Sequence, residues 1–362
     1  MKYYIVAGEA SGDLHASNLI KHIKLADTSA QFRAWGGDLM RKQGADIVKD
    51  YRELAFMGFI EVTMNLRTIL NNISFCKQDI LAYKPDAIIL VDYPGFNLRI
   101  AKWAKQQDIK VIYYISPQIW AWKQSRVHQI KRNVDLMLVI LPFEEEFYLR
   151  FNYKVHFVGH PLLDAIAERP LPNRPEKPYI AVLPGSRKQE IEKMLPIMLS
   201  AMPYFPQFDF VVAGAPGQTA EFYKPLLGKT GARFVTGKTY DVITNATAAM
   251  VTSGTATLET ALLNTPQVVC YKGSNISYLI AKQLIKVKYI SLVNLILDRP
   301  AVKELIQDEL TTHNLQKELD AIIINEENRN RMLADYDELK QKLGGTGASA
   351  RAAGIIIDYL NN

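Results

Sequence analysis

Short aliphatic and β-branched runs recur along the chain, at residues 3–7, 87–91, 111–115, 136–140, 179–183, 208–213, 249–252 and 266–271. Each predicts a strand buried on both faces. Longer segments lie between them, among them 16–25 and 66–83, whose apolar positions fall three and four apart, as on a helix that covers a core. Strands alternating with helices predict an α/β protein with parallel sheets joined by right-handed crossovers.

The pattern breaks at residues 168–178, where four prolines and five charges can neither continue a helix nor fill a central strand. This divides the chain into an N-terminal domain, 1–167, and a C-terminal domain, 168–343, each with its own strand series. Gly344, Gly345 and Gly347 then precede a last apolar helix, expected to cross back onto the first domain or onto another subunit. Two doubly wound domains facing a cleft are the expected architecture, with ligands beyond the carboxyl ends of the strands.

A chain of 362 residues, 48% hydrophobic and 22% charged, suits a two-domain globular protein. Cys76 and Cys270 lie far apart without metal-ligand or disulfide-framework spacing, which fits buried thiols in a reducing compartment. The apolar start runs straight into a glycine loop, too short for a signal peptide, and no run approaches the ~18 apolar residues of a membrane span. A cytoplasmic protein with at most peripheral membrane contact is expected. The net charge of +6, from 43 basic and 37 acidic residues, favours anionic partners without choosing among them.

Five strand-to-helix segments carry candidate chemistry. Gly8, Glu9, Ala10, Ser11, Gly12 and Asp13 follow the first strand but lack G-x-G-x-x-G; they read as a capped turn or as a loop at the acceptor side of the cleft. Asp92, in Val91-Asp92-Tyr93-Pro94-Gly95-Phe96-Asn97, closes a purely aliphatic strand and is the candidate general base. Leu183-Pro184-Gly185-Ser186-Arg187 brings a helix N-terminus, a glycine and a guanidinium together, as a diphosphate requires. Ser253, Gly254, Thr255, Ala256 and Thr257 offer hydroxyls and amides to the same diphosphate, with Glu259 placed for ribose hydroxyls. Ser116-Pro117-Gln118-Ile119-Trp120-Ala121-Trp122-Lys123, with Met57, Gly58, Phe59 and Ile60, reads either as core packing or as an apolar patch rimmed by positive charge. His160, after a strand, reads either as a residue facing the cleft near the hinge or as a turn histidine with a structural hydrogen bond. No His pair and no Asp-x-Asp suggests a metal, and neither metal nor cofactor is expected.

Together these segments resemble the lipid-A-disaccharide synthase family, through Gly8 to Asp13, Met57-Gly58, Asp92-Tyr93-Pro94, Ser116 to Trp122, Gly159-His160-Pro161, Leu183 to Arg187 and Ser253 to Glu259. The resemblance implies a GT-B fold and transfer of 2,3-diacylglucosamine from its UDP carrier to the 6-hydroxyl of 2,3-diacylglucosamine 1-phosphate, with inversion. On it Asp92 is the base, Arg187 the diphosphate clamp, and Asn294, Glu304 and Gln307 belong to a donor-binding stretch. It implies peripheral attachment to the inner membrane, no nucleic-acid partner and an optional homodimer. Val293 and Lys303 stand where the family usually has prolines, and Gly95 where many members carry an acid, which leaves a single-base mechanism. Competing readings are a muropeptide N-acetylglucosaminyltransferase, a UDP-sugar 2-epimerase or a non-catalytic lipid or nucleotide binder.

Overall fold

The computed structural model describes residues 1–54, 66–170, 175–215, 217–273 and 288–362, with the side chains of Leu66 and Trp122 outside the description. Met57, Gly58, Phe59 and Ile60 therefore lie outside the described residues.

The chain forms two compact units, Met1–Ala167 with Leu343–Asn362, and Glu168–Lys342. The first holds a seven-stranded sheet of β1 Lys2–Ala7, β2 Gln31–Gly36, β3 Asp46–Asp50, β4 Ala87–Val91, β5 Lys110–Tyr114, β6 Leu136–Val139 and β7 His156–Phe157, in the order β3-β2-β1-β4-β5-β6-β7. The second holds β8 Tyr179–Leu183, β9 Asp209–Gly214, β10 Arg233–Thr236, β11 Ala248–Thr252, β12 Gln267–Tyr271 and β13 Lys303–Ile306, in the order β10-β9-β8-β11-β12-β13. Every pairing is parallel.

The central strands β1, β4, β8 and β11 are almost wholly buried, as expected of aliphatic runs covered by helices on both faces. The strands invisible to the pattern, β2, β3, β7, β10 and β13, lie at or next to the sheet edges, where charged residues such as Arg33, Asp46 and Lys303 reach water.

Each sheet reverses its winding once, between β1 and β4 in the first and between β8 and β11 in the second. Ala7 pairs with Val91 there, and Leu183 with Val251. The four loops that leave these strands thus open at the two switch points, where doubly wound folds receive ligands.

The last helix, Ala348–Asn361, returns to pack on helix Ala10–Ala26 of the first unit. Its entry is tied at two places. Asp164 accepts the N–H groups of Gly347 at 2.5 Å and Ser349 at 2.8 Å. Arg351 donates to the carbonyls of Val158, Thr346 and Gly344 at 2.8, 2.9 and 3.1 Å. The crossing is tight enough that a β-carbon on Gly344 would stand 3.3 Å from the Gly159 Cα. Among the described residues no helix is long and apolar enough to cross a membrane.

Candidate active site

At the first switch point, β4 ends in an unusual turn. Asp92 and Tyr93 both take positive φ, +44° and +51°, before helix Pro94–Lys105 begins with proline at its first turn. Asp92 is half-buried, and its carboxyl is pushed up to about 7, first by burial and then by the charge of Glu9. Glu9 is exposed and stands just before helix Ala10–Ala26, past the end of the neighbouring strand. The sequence placed both acids in separate motifs; the switch point brings them together.

Several acceptor-side residues have different work. Helix Ala10–Ala26 starts six residues before the apolar periodicity does, so Ser11 and Asp13 lie inside its first turn and cap nothing there. Ser11 is exposed. Asp13 is buried and instead accepts the N–H groups of Gly37, Leu39 and Met40 at 2.8–3.1 Å, capping helix Asp38–Lys42. Gly12 faces the sheet, where a β-carbon would meet the Ala7 β-carbon at 3.1 Å, so it serves close packing. Asn97 is fully buried and spends its amide on the carbonyls of Val6, Val91 and Asp92, beyond reach of any acceptor.

Ser116 and Trp120 are likewise internal. Ser116 is buried against the Tyr148 hydroxyl at 2.8 Å. Trp120 is 8% exposed and stands edge-on to Phe143 at 4.9 Å, which removes it from any lipid-facing patch. Beside them lies an acid that the motif reading passed over. Glu144 is 1% exposed, accepts the N–H groups of Ile140 and Leu141 at 3.2 and 2.9 Å, and is pushed up to about 7 by burial. Its signal was an acid after a buried strand, as with Asp92. His160 is buried too, its Nδ1 accepting the Leu162 N–H at 3.2 Å, with His15 across from it at 6.2 Å between ring centroids.

At the second switch point, the loops after β8 and β11 open side by side. Gly185 has φ +108°, a conformation suited to glycine, and a β-carbon there would fall 2.1 Å from Glu190 Oε2. That carboxylate accepts the Ser186 N–H at 3.0 Å, an anion already seated on the loop. Arg187 caps helix Lys188–Leu199, is exposed, and pairs with no carboxylate among the described residues. Across the switch point Gly254 and Thr255 are exposed, and Ser253 is half-buried with its Oγ on the Ile290 carbonyl at 2.9 Å. Ala256 packs against the core, and Thr257 is fully buried with its Oγ1 on the Gly254 carbonyl at 2.8 Å. Thr257 therefore shapes the turn. Glu259 is half-buried and accepts the Tyr240 hydroxyl at 2.9 Å; burial raises its pKa.

The 294–307 stretch divides. Asn294 is 1% exposed and closes on Val302 through both amide atoms at 2.9 Å, while donating to Glu304 at 2.9 Å. Glu304 accepts the N–H groups of Ile290 and Ser291 at about 3 Å, anchoring helix Leu292–Leu297. Both border a cavity of about 390 Å³ that also touches Tyr289 and Arg331. Both side chains thus also serve the fold, and Glu304 stays half-buried at the cavity's edge. Gln307 differs: at the end of β13 its Oε1 accepts the Gly273 N–H at 3.0 Å, and its buried Nε2 has no partner among the described residues. No group of three His, Cys, Asp or Glu among the described residues has a metal-holding arrangement.

Solved structures share this fold at low sequence identity. A UDP-GlcNAc 2-epimerase from Neisseria meningitidis, bound to UDP-GlcNAc, superposes with a TM-score of 0.67 at 15% identity, covering 100% of both chains. The S. aureus MnaA–UDP co-structure gives 0.72 at 13% identity over 99% of this chain and 97% of that one. The glycotransferase of kitacinnamycin gives 0.68 at 14% identity over 99% of each. The two-domain architecture is thus GT-B, a fold that glycosyltransferases and epimerases both use.

Sequence similarity is more specific. The family model described as lipid-A-disaccharide synthetase matches residues 3–355. A lipid-A-disaccharide synthase of Syntrophus aciditrophicus is 41% identical over 364 residues, covering 96% of this chain and 95% of that protein. One of Geobacter metallireducens is 38% identical over 372 residues, covering 98% and 96%. With a family model spanning nearly the whole sequence and full-length relatives at these identities, the chain belongs to the lipid-A-disaccharide synthase family.

Proposed function

We propose that this glycosyltransferase of lipid A biosynthesis joins UDP-2,3-diacylglucosamine to 2,3-diacylglucosamine 1-phosphate by one inverting displacement. The acceptor 6-hydroxyl oxygen attacks the donor's anomeric carbon as its proton passes to the Asp92 carboxylate. The bond from that carbon to the phosphate oxygen breaks, its electron pair leaving with UDP. The observation that carries the reading is chemical: one switch point holds a half-buried carboxyl that burial and Glu9 push up to about 7, and the other an exposed arginine that pairs with no carboxylate among the described residues.

Asp92 near 7 combines a substantial ionised fraction with real basicity, which suits proton removal from a sugar hydroxyl. Arg187 meets the charge that grows on the leaving diphosphate. Exposed Gly254 and Thr255 offer further donors, and Gln307 Nε2, without a partner among the described residues, supplies one more. No step calls for a metal or a cofactor.

Attachment to a membrane surface is proposed through helix Leu66–Tyr83, which exposes Leu70 and Leu81 by 55% and 49% on the side carrying Arg67. Apolar side chains beside cations suit an anionic lipid surface.

Incubation with the two acylated substrates should release UDP and disaccharide 1-phosphate in equal amounts, and Asp92→Asn should reduce the rate at least ~100-fold. Wild-type turnover by Asp92→Asn would remove Asp92 from the chemistry.

A further inference from the structure

Two consecutive non-glycine residues in the left-handed region, Asp92 and Tyr93, carry a steric cost that surrounding structure must hold in place. The hydrogen bonds identify what holds it. The Tyr113 hydroxyl donates to the Asp92 carbonyl at 2.5 Å, and Asn97 Nδ2 donates to the same oxygen at 2.8 Å. Both side chains are fully buried. On its other side the Asp92 N–H donates to the Tyr114 carbonyl at 3.2 Å, across to β5. Asn97 also reaches the carbonyls of Val91 at 3.2 Å and Val6 at 3.3 Å, so one amide spans the ends of both strands at the switch point.

We propose that Tyr113 and Asn97 are positioning residues for glycosyl transfer, gripping the Asp92 carbonyl so that the left-handed turn aims its carboxylate at the acceptor hydroxyl. This rests on Asp92 being the base. A carbonyl needs one donor to be satisfied, and this one has two buried donors from different elements, a β-strand and a helix. The second donor is what a turn needs when its direction, and not only its hydrogen bonding, matters. Neither residue touches substrate; both act through Asp92.

The groups that face Asp92 are Glu9 from the end of β1, Tyr113 from β5 and its neighbour Tyr93, while Arg126 acts on the Tyr113 hydroxyl. Loosening the turn lets the carboxylate swing into water and away from Glu9, which moves its ionisation downward.

Tyr113→Phe tests the idea, because it keeps the ring in the core and deletes one donor. The expected result is a ~10-fold or greater fall in kcat with KM for both substrates within about twofold, as a misaimed catalytic group gives. The limb of the kcat/KM profile near pH 7 should move toward acid, and adding Tyr113→Phe to Asp92→Asn should cost nothing more. Asn97→Ala opens a buried polar site and can lose the fold, so Tyr113→Phe decides. A variant with wild-type kcat and an unmoved limb, changed only in melting temperature, would make Tyr113 merely structural and overturn the proposal. Failure of the base itself is read separately, as full activity in Asp92→Asn alone, and would end the positioning role with it.

Discussion

The ring of Tyr93 lies against the backbone of Gly8, so close that a β-carbon on Gly8 would stand 2.5 Å from two of its ring carbons. This contact locks the loop after β1 to the turn after β4, and with it the relation of Glu9 to Asp92. Gly8→Ala should therefore push the ring out, lower stability by about 1–3 kcal/mol as overpacking does, and depress turnover more than substrate binding. Thermal melting and steady-state kinetics on the same preparation would check it; a variant with normal stability and rate would show that the ring yields freely.

Glu9 is exposed, yet its charge helps hold the Asp92 carboxyl near 7. Glu9→Gln keeps the shape and removes the charge. The acid limb of the pH–rate profile should then move to lower pH, with little change in the plateau rate. An unmoved limb would leave burial as the sole cause.

Asp92 is less stable in its charged form when folded, because its pKa is raised from an ordinary 3.8 to about 7. The sign follows from linkage: the cost is absent below pH 4, grows as pH rises toward 7, and stays constant above. Asp92→Asn should thus be slowed at least ~100-fold but more stable than the wild type at pH 8, by about 1 kcal/mol once partial solvent access is allowed for. At pH 4 the two should melt alike, and equal melting at both pH values would contradict the shift.

His15 and His160 behave in the opposite direction. Burial lowers them to about 4 and about 3, so both stay neutral in the fold while the unfolded chain takes up protons below ~6.5. Their contribution to stability is complete above that pH and is lost as pH falls toward 4. His160→Asn keeps an acceptor for the Leu162 N–H without a titrating ring, and should shrink the loss between pH 7 and pH 5 by on the order of 1 kcal/mol. An unchanged loss in thermal melts at the two pH values would assign acid sensitivity elsewhere.

In the second unit, Gly185→Ala would drive a β-carbon into the Glu190 carboxylate at a φ of +108°. The loop must rearrange, and UDP affinity should fall at least ~10-fold by calorimetry. Arg187→Ala should reduce kcat/KM by ~100-fold or more if the guanidinium stabilises the leaving diphosphate. Near-normal values in either variant would move the donor's phosphates away from this loop.

Much of this molecule was legible in the chain. The central strands announced themselves because burial on both faces leaves almost only apolar side chains, and the proline-rich stretch at 168–178 marked where one unit yields to the next. The edge strands were not legible: β3 reads Asp-Ile-Val-Lys-Asp, which water accepts along one side and no apolar run reveals. Leu343, assigned by pattern to the second half, packs with the first, since the crossing begins just before the glycines.

For the site, the sequence by itself determined which residue types occupy the strand-to-helix loops, since acid, glycine and arginine must follow a strand's end to reach a ligand. Strand order decided the rest. Only the reversal of winding between β1 and β4, and between β8 and β11, sets Glu9 beside Asp92 and the Gly185 loop beside the Gly254 loop. Only packing could tell Asn97, Gly12, Thr257 and Asn294, sealed inside, from half-buried Asp92 and exposed Arg187. A polar side chain looks the same in sequence whether it binds a ligand or satisfies a buried carbonyl. The difference lies in how many backbone groups the fold leaves unpaired around it.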